Sequence, residues 1–179
     1  MKKVIYLLLT ISFFFILTSC KKDKLDDNKA KEEGYEVGNL CYDLTIDLVN
    51  SNNTFSISKN RGKVIVLNFW FTKCPYCINE MPNFNNVYQK YKNDIEIVAI
   101  HMNGNGYNEE IVIDYINNNY SNYSITFGID TINNDNYKLL GGTGSYPVTV
   151  ILNQDGIITY NKAGAISERF LIKRIEELL

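Results

Sequence analysis

Histidine and cysteine are scarce in this chain, which has one histidine and four cysteines in 179 residues. A structural zinc ion in a protein is bound by about four Cys or His side chains. Beyond residue 20, the only candidates are the neighbouring pair Cys74 and Cys77 and the distant Cys41 and His101. The sequence contains no Cys-x-x-Cys-His motif, so it has no attachment site for a c-type haem. We therefore expect neither a metal centre nor a haem.

The chain also has no excess of positive charge. Its 18 Lys and Arg residues and 20 Asp and Glu residues give a formal net charge of −2. Without residues 1–19, which contain Lys2 and Lys3, 16 basic residues face the 20 acidic ones and the net charge is −4. No basic stripe remains that would bind a phosphate backbone. We expect no nucleic-acid partner.

Residues 1–19 have the pattern of a signal peptide. Lys2 and Lys3 precede a mostly apolar run over residues 4–17, which is shorter than the roughly 20 apolar residues that span a bilayer. The run ends in Leu-Thr-Ser-Cys, which resembles a bacterial lipobox. We therefore expect cleavage before Cys20 and a lipid on its thiol. An ordinary signal peptide cut nearby and an uncleaved anchor are the alternatives.

The residues after Cys20 divide into a tether and a domain. Residues 20–36 are rich in charge and poor in large apolar side chains, which predicts a flexible tether. A single folded domain is expected over residues 37–179. A lipid on Cys20 would hold this domain at a bacterial membrane, outside the cytoplasm, in a compartment where disulfides form and persist.

The centre of the sequence places two cysteines after a buried strand. Residues 64–70 form an apolar run without alternation, which is typical of a strand covered on both faces. Pro75 suits the first turn of a helix, so Cys74 is predicted at the helix N-terminus, where the helix dipole favours a thiolate. Cys77, one turn later, is positioned to resolve a mixed disulfide. This pattern indicates thiol–disulfide chemistry.

Hydrophobic periodicity predicts the remaining elements. They are a β-hairpin formed by strands at 42–48 and 54–58, a helix at 75–91 with Pro82 inside it, a strand at 95–100, a helix at 108–119 with Ile111 facing inward, strands at 125–129, 148–152 and 157–160, and a last helix capped by Ser167. Residues 130–145 are rich in turn formers and remain unassigned, apart from one helical turn at 137–140. The resulting order is hairpin, β-α-β-α and then β-β-α.

This order, with a Cys-x-x-Cys motif at the first strand-to-helix junction, resembles the thioredoxin-like fold. More narrowly, the chain resembles the membrane-tethered TlpA/ResA-like thiol–disulfide oxidoreductases. The resemblance rests on Leu67-Asn68-Phe69-Trp70, Cys74-Pro75-Tyr76-Cys77, Glu80-Met81-Pro82, Tyr146-Pro147-Val148-Thr149 and Asp155-Gly156. It implies an α/β fold with a central mixed β-sheet flanked by helices, to which this chain adds the N-terminal β-hairpin.

The resemblance also implies roles for individual residues. Cys74 would be the attacking and more exposed thiol, Cys77 the resolving thiol, and Pro147 would follow a cis peptide bond and face the cysteines. Glu80 would help to move protons. The surface that binds substrate would include four further residues: Trp70, Pro75, Tyr76 and Tyr146. Alternatively, Trp70 packs next to the active site, with Tyr76 exposed over it. The only redox group would be the Cys74–Cys77 disulfide, with no separate cofactor and no metal.

The implied function is a membrane-anchored, extracytoplasmic disulfide reductase. Its substrates would be proteins that contain disulfides, with apocytochrome c as the family's best-known example, and a membrane thiol transporter would supply electrons to the monomer. Two features leave the direction of transfer open. Lys73 stands where many relatives have Trp, and Pro75-Tyr76 is the pair that glutaredoxins use. A dithiol oxidase or isomerase, and a binding lipoprotein without catalysis, remain alternatives.

Three residues outside this set have simpler interpretations. His101 follows the end of a predicted strand and is expected to be a solvated loop residue. Cys41 is expected to behave as a small buried hydrophobe, although a third redox thiol is the alternative. Phe71 stands three residues before Cys74, where a peroxiredoxin would have Thr, which argues against a peroxidase.

Overall fold

A computed structural model describes residues 32–103 and 108–179. Within these ranges the strands are β1 (Glu33–Gly34), β2 (Leu40–Cys41), β3 (Thr45–Leu48), β4 (Thr54–Ser56), β5 (Val64–Trp70), β6 (Ile95–His101), β7 (Thr126–Ile129), β8 (Val148–Leu152) and β9 (Ile158–Ala163). The α-helices are α1 (Pro75–Tyr91), α2 (Glu109–Tyr120), α3 (Asp135–Leu139) and α4 (Glu168–Glu176). The predicted signal peptide, Cys20 and most of the predicted tether lie outside the described residues.

Seven strands form one mixed sheet in the order β4-β3-β7-β6-β5-β8-β9. The central strands β5, β6 and β7 are parallel, whereas β8 and β9 at one side and β3 and β4 at the other are antiparallel to their neighbours. The predicted hairpin is confirmed, and its strand β3 pairs with β7, so the hairpin extends the central sheet.

Two hydrophobic clusters cover the two faces of this sheet. On one face, Val64, Val66 and Trp70 of β5 pack with residues of α1, α2 and α4. On the other face, Ile65, Leu67 and Phe69 pack with residues of β2, β3, β4 and α3. Because neighbouring strand residues point to opposite faces, the continuous apolar run of β5 supplies both clusters. The predicted mixed sheet with flanking helices is confirmed.

The folded unit begins earlier than the sequence predicted. Its described residues are 32–103 and 108–179, and β1 pairs in parallel with β2 as a separate two-stranded sheet. Residues 33–36, which were assigned to the tether, are therefore part of this unit. Two-residue strands carry no detectable periodicity, which explains why the sequence did not reveal them.

Helix α2 is confirmed, but the predicted inward orientation of Ile111 is wrong. The buried residues of α2 are Val112, Ile116 and Tyr120, which recur every four positions, while Ile111 is 64% exposed.

None of the helices in the described ranges is long and apolar enough to cross a membrane.

The segment that the sequence left unassigned is organised around Asp130. Its buried carboxylate accepts hydrogen bonds from the backbone N–H groups of Asn136 and Tyr137 at 3.2 and 3.0 Å and so holds the start of α3. The hydroxyl of Tyr137 in turn donates to the carbonyl of Ser145 at 3.0 Å and accepts from the N–H of Gly144 at 2.9 Å. These contacts fix the loop that leads into β8.

Candidate active site

The two cysteines occupy the junction between β5 and α1, as predicted. Cys74 is the N-cap residue of α1, Pro75 follows in the first turn, and the backbone N–H of Cys77 donates to the Sγ atom of Cys74 at 3.2 Å. The two side chains form a disulfide with their Cα atoms 5.3 Å apart. Cys74 is 5% exposed and Cys77 is fully buried, so the solvent reaches the pair from the side of Cys74.

The loop before β8 lies beside this junction. Val148 is paired with Phe69 in the register of β5 and β8, and the Tyr146–Pro147 peptide bond is cis. The ring of Tyr146 stacks on Tyr137 at 5.2 Å and meets the edge of Phe71 at 5.0 Å. An aromatic wall therefore connects the loop before Cys74 with the loop that contains Pro147.

Behind the disulfide, the carboxyl group of Glu80 is buried in a polar network. Its Oε1 atom accepts a hydrogen bond from Nδ2 of Asn68 at 2.9 Å, and its Oε2 atom accepts from the backbone N–H of Ile166 at 2.8 Å. Asn68 also donates from Nδ2 to the hydroxyl of Thr149 at 3.3 Å. Asn68 and Thr149 are directly opposite each other on β5 and β8, so the network joins α1 to the middle of the sheet.

Burial controls the protonation of this carboxyl group. Glu80 is 2% exposed, and the resulting desolvation raises its pKa from 4.5 to about 7, against the hydrogen bonds from Ile166 and Asn68, which lower the pKa. A carboxyl group with a pKa near neutrality can both accept and release a proton at physiological pH. Glu80 also lies one helical turn after Cys77, on the same buried side of α1.

His101 is a buried residue, so its assignment to a solvated loop was wrong. It is the last residue of β6, with no exposed surface, and its Nε2 atom accepts a hydrogen bond from the backbone N–H of Thr72 at 3.1 Å. Burial lowers the pKa of the imidazole to about 4, against a hydrogen bond with the backbone of Met102. The neutral ring therefore holds the loop that precedes Cys74.

The four residues predicted to bind substrate have very different exposures. Tyr76 is 71% exposed, Pro75 is exposed and Tyr146 is half-buried, so these three form part of the surface around Cys74. Trp70 has no exposed surface. Its ring is enclosed by His101, Tyr120 and other aromatic rings. Trp70 is therefore part of the hydrophobic core next to the site and offers no surface to a substrate.

Cys41 lies on the opposite face of the sheet from the disulfide. It is a free and buried thiol in the second hydrophobic cluster, and burial raises its pKa to about 12. The expectation that Cys41 behaves as a small hydrophobe is confirmed. In residues 32–103 and 108–179, no three His, Cys, Asp or Glu side chains converge in an arrangement that would hold a metal ion.

Sequence reasoning identified Cys74, Cys77 and Glu80 but missed most of the groups that hold them. Thr149 and the backbone of Ile166 carried no separate signal, because their contacts with Asn68 and Glu80 join residues 81 and 86 positions apart. His101 stood out as the only histidine in the sequence, but its position after a predicted strand was taken to mean that it is exposed to solvent.

The comparisons with known proteins agree with this geometry. The Redoxin family model matches residues 36–179. The thiol-disulfide oxidoreductase ResA of Oceanobacillus iheyensis is 34% identical over 114 residues, which cover 62% of this chain and 54% of ResA. The thioredoxin-like protein YneN of Bacillus subtilis is 25% identical over 146 residues, which cover 82% of each chain. The chain therefore spans about half the length of ResA from O. iheyensis.

A solved structure supports the fold independently. A DsbF homologue from Corynebacterium diphtheriae superposes with a TM-score of 0.68, although only 20% of the residues are identical, and the match covers 78% of this chain and 87% of the homologue. Together with the disulfide at the start of α1, these similarities settle the relationship: the chain belongs to the redoxin family, in the TlpA/ResA-like group of the thioredoxin superfamily.

Proposed function

We propose that this protein is a thiol–disulfide oxidoreductase that reduces disulfides in protein substrates outside the cytoplasm. The observation that carries the assignment is the Cys74–Cys77 disulfide at the N-terminus of α1, in which Cys74 is the more exposed residue and Cys77 is fully buried. The similarity to ResA, whose name describes a thiol-disulfide oxidoreductase, supports it.

The reaction starts from the reduced protein. The thiolate of Cys74 attacks one sulfur of the substrate disulfide, and the second substrate sulfur leaves as a thiolate. The Cys77 thiol then loses its proton and attacks Sγ of Cys74, which breaks the mixed disulfide and releases the other substrate sulfur. Two electrons pass from the protein dithiol to the substrate. Of the two protons that the substrate thiols gain, one corresponds to the proton of Cys77 and the other to the proton that Cys74 released to water when it ionised. The protein is left with the Cys74–Cys77 disulfide.

The surroundings of the pair suit both steps. The N-terminus of α1 stabilises negative charge on Cys74, and the N–H of Cys77 is within hydrogen-bond distance of its sulfur. Cys77 is fully buried, so it needs a nearby group to take its proton. Glu80, with a pKa of about 7 and one turn away on α1, is the group that we assign to this role.

Substrate proteins would bind on the surface around Cys74. Pro75 and Tyr76 are exposed on one side of it, and Tyr146 and Pro147 belong to the loop on the other. Tyr76 and Tyr146 present aromatic surface that suits a polypeptide, while Pro147 would face the mixed disulfide. Apocytochrome c is the candidate substrate that the family resemblance suggests.

The cellular setting follows from the sequence. A lipid on Cys20 would keep the monomeric domain at the outer side of a bacterial membrane, and the spent disulfide would be reduced by a membrane thiol transporter. A palmitate-labelling experiment on cells that express the chain tests the first point. Label that is present in the wild-type protein and absent from Cys20→Ala supports the anchor, and equal label in both contradicts it.

The reduction potential of the Cys74–Cys77 pair tests the direction of electron transfer. We would equilibrate the full chain, in detergent, with glutathione and with dithiothreitol and measure the fraction of free thiol. A potential near or below about −270 mV, as in thioredoxin, supports a reductase. A potential that approaches about −120 mV, the value of the strong oxidant DsbA, would make the protein a disulfide donor.

Two substitutions test the chemistry itself. Cys74→Ser is expected to abolish the reduction of insulin by the full chain, because no attacking thiolate remains. Cys77→Ser is expected to accumulate mixed disulfides with substrate, since the resolving thiol is gone. Full insulin reduction by Cys74→Ser, or failure of the wild-type protein to exchange with any small disulfide, would favour a binding lipoprotein without catalysis.

A further inference from the structure

The amide of Asn68 makes both of its hydrogen bonds from one atom. Nδ2 donates to Oε1 of Glu80 at 2.9 Å and to the hydroxyl oxygen of Thr149 at 3.3 Å. The other amide atom, Oδ1, is fully buried and receives no hydrogen bond within residues 32–103 and 108–179. An NH₂ group can donate two hydrogen bonds and a carbonyl oxygen can accept two. The two ends of this amide can therefore make the same number of hydrogen bonds, one end as donor and the other as acceptor.

The observed arrangement suits the ionised form of Glu80 best, because both carboxyl oxygens accept a hydrogen bond from an N–H donor. A carboxylate accepts the Nδ2 hydrogen bond, whereas a protonated Oε1 would bring its own hydrogen against the NH₂ group of Asn68. Since Glu80 is buried, water cannot easily relieve this conflict, and an unpaired buried donor costs about 1–3 kcal/mol. Any exchange mechanism that protonates Glu80 must therefore change the hydrogen bonding of Asn68.

We propose that Asn68 is a positioning residue whose side-chain amide inverts when Glu80 gains or loses its proton. After rotation by about 180° around the Cβ–Cγ bond, Oδ1 takes the position of Nδ2 and accepts a hydrogen bond from the carboxylic acid. The hydroxyl of Thr149 rotates at the same time and donates to Oδ1. The bond from the N–H of Ile166 to Oε2 is unaffected. Two donated bonds become two accepted bonds without movement of the backbone.

The inversion explains why an amide suits position 68. An aspartate there would place a second carboxylate beside Glu80, and a leucine would leave the Glu80 proton without an acceptor in the sheet. The amide offers Glu80 a donor in the ionised state and an acceptor in the protonated state, at the cost of one unpaired amide end in each. Glu80 can then stay in one position through the exchange cycle. The pKa of Glu80, raised by burial to about 7, means that both states are populated at neutral pH.

Two other titratable groups bear on Glu80. Tyr160 of β9 has its pKa raised by burial, and the charge of Glu80 adds to that increase. Cys77, on α1 itself, titrates only when the disulfide is reduced. The measurement is therefore made on the oxidised chain between pH 4 and 9.

The experiment follows two NMR signals of the oxidised full chain in detergent. The ¹³C signal of the Glu80 carboxyl, assigned with Glu80→Gln, gives the protonation midpoint. The ¹⁵N and ¹H signals of the Asn68 NH₂ group report its hydrogen bonds. We expect the NOEs between the Asn68 NH₂ hydrogens and the Thr149 side chain to be present above the Glu80 midpoint and lost below it, because inversion moves the NH₂ group away from Thr149. NOEs that persist below the midpoint would overturn the inversion, and this test needs no variant to fold.

Two variants complete the test. Asn68→Leu removes both the stronger hydrogen bond to the carboxylate and the weaker bond to the acid, so we expect the Glu80 midpoint to rise by less than about one pH unit. Asn83→Leu is the control, because the Asn83 side chain donates to the carbonyl of Ile166 at 3.3 Å and has no recorded bond to Glu80. The control is expected to leave the midpoint unchanged. Equal midpoints in wild type and Asn68→Leu would contradict a role of Asn68 in the titration.

The use of this device rests on the proposed function, but its test does not. If the oxidised protein loses the NOEs between Asn68 and Thr149 below the Glu80 midpoint and yet exchanges no disulfides, the inversion stands and the oxidoreductase assignment fails. If the protein reduces insulin while these NOEs persist below the midpoint, the assignment stands and the inversion is wrong.

Discussion

Replacing Glu80 by Gln should change how the stability of the oxidised protein depends on pH. Glutamine has nearly the same shape as a protonated glutamate, and its amide can still pair with Asn68 and with the N–H of Ile166. The substitution therefore keeps the packing of α1 against the sheet and removes only the titration of the carboxyl group. Oxidised protein is used because the disulfide cysteines then do not titrate.

The expected magnitude follows from the pKa of Glu80. The unfolded chain releases this proton near pH 4.5, whereas the folded protein holds it up to about pH 7 because the carboxyl is desolvated. The folded state thus binds more protons between these values, and the wild-type protein loses stability as the pH rises from 4.5 to 7. A shift of about 2.5 pKa units corresponds to about 3 kcal/mol.

Urea denaturation of both proteins at pH 4, 6 and 8 measures this effect. The free energy of unfolding of Glu80→Gln minus that of wild type should increase by about 3 kcal/mol from pH 4 to pH 8. Glu36→Gln, an exposed position outside the helices, is the matched control and should change this difference far less than Glu80→Gln does. A change for Glu80→Gln no larger than that of the control would refute the assignment of a raised pKa to this buried carboxyl group.

His101 affects the pH dependence of stability in the opposite direction to Glu80, so Glu80→Gln must be compared with the wild-type protein at each pH. Burial lowers the pKa of His101 from 6.5 to about 4, so the unfolded chain binds this proton at a higher pH than the folded protein does. Its contribution to stability is present above pH 6.5 and is lost as the pH falls to 4. In the wild-type protein this loss offsets the gain from Glu80 over nearly the same range, and a wild-type pH profile alone would hide both.

The structure makes three further predictions. His101→Phe should destabilise the protein by about 1–3 kcal/mol at pH 8 in urea denaturation, because the N–H of Thr72 loses its acceptor; His101→Gln, which retains an acceptor, should lose less, and an equal loss would show that packing alone is responsible. Ser167→Ala should lower the free energy of unfolding by about 1 kcal/mol, since it removes the cap on the N–H of Phe170; an unchanged urea midpoint would contradict this. Cys41, whose pKa burial raises to about 12, should resist iodoacetamide at pH 8 in the folded chain and react after unfolding, as measured by mass spectrometry of its peptide; rapid labelling of the folded chain would show that it is accessible.

Local sequence determined the part of the site that depends on neighbouring residues. The apolar run of β5, the N-cap position of Cys74 and Pro75 in the first turn all lie within about a dozen residues. Strand propensity, turn length and the restricted φ of proline act over that range. The boundaries of α1 and α2, the hairpin of β3 and β4 and the Ser167 cap were predictable for the same reason.

Tertiary structure alone decided which groups surround the disulfide. Glu80 meets Asn68 and Ile166 because α1 packs on the sheet, and Asn68 meets Thr149 because β5 and β8 pair in one register. Trp70 is buried because α2 covers it, which decides between the two roles that its sequence position left open, contact with substrate and packing beside the site. Burial, which sets the protonation of Glu80 and His101, depends on side chains far apart in the chain. The sequence by itself determined where the cysteine pair resides, and only the packed fold decided which buried groups surround it and how burial shifts their pKa values.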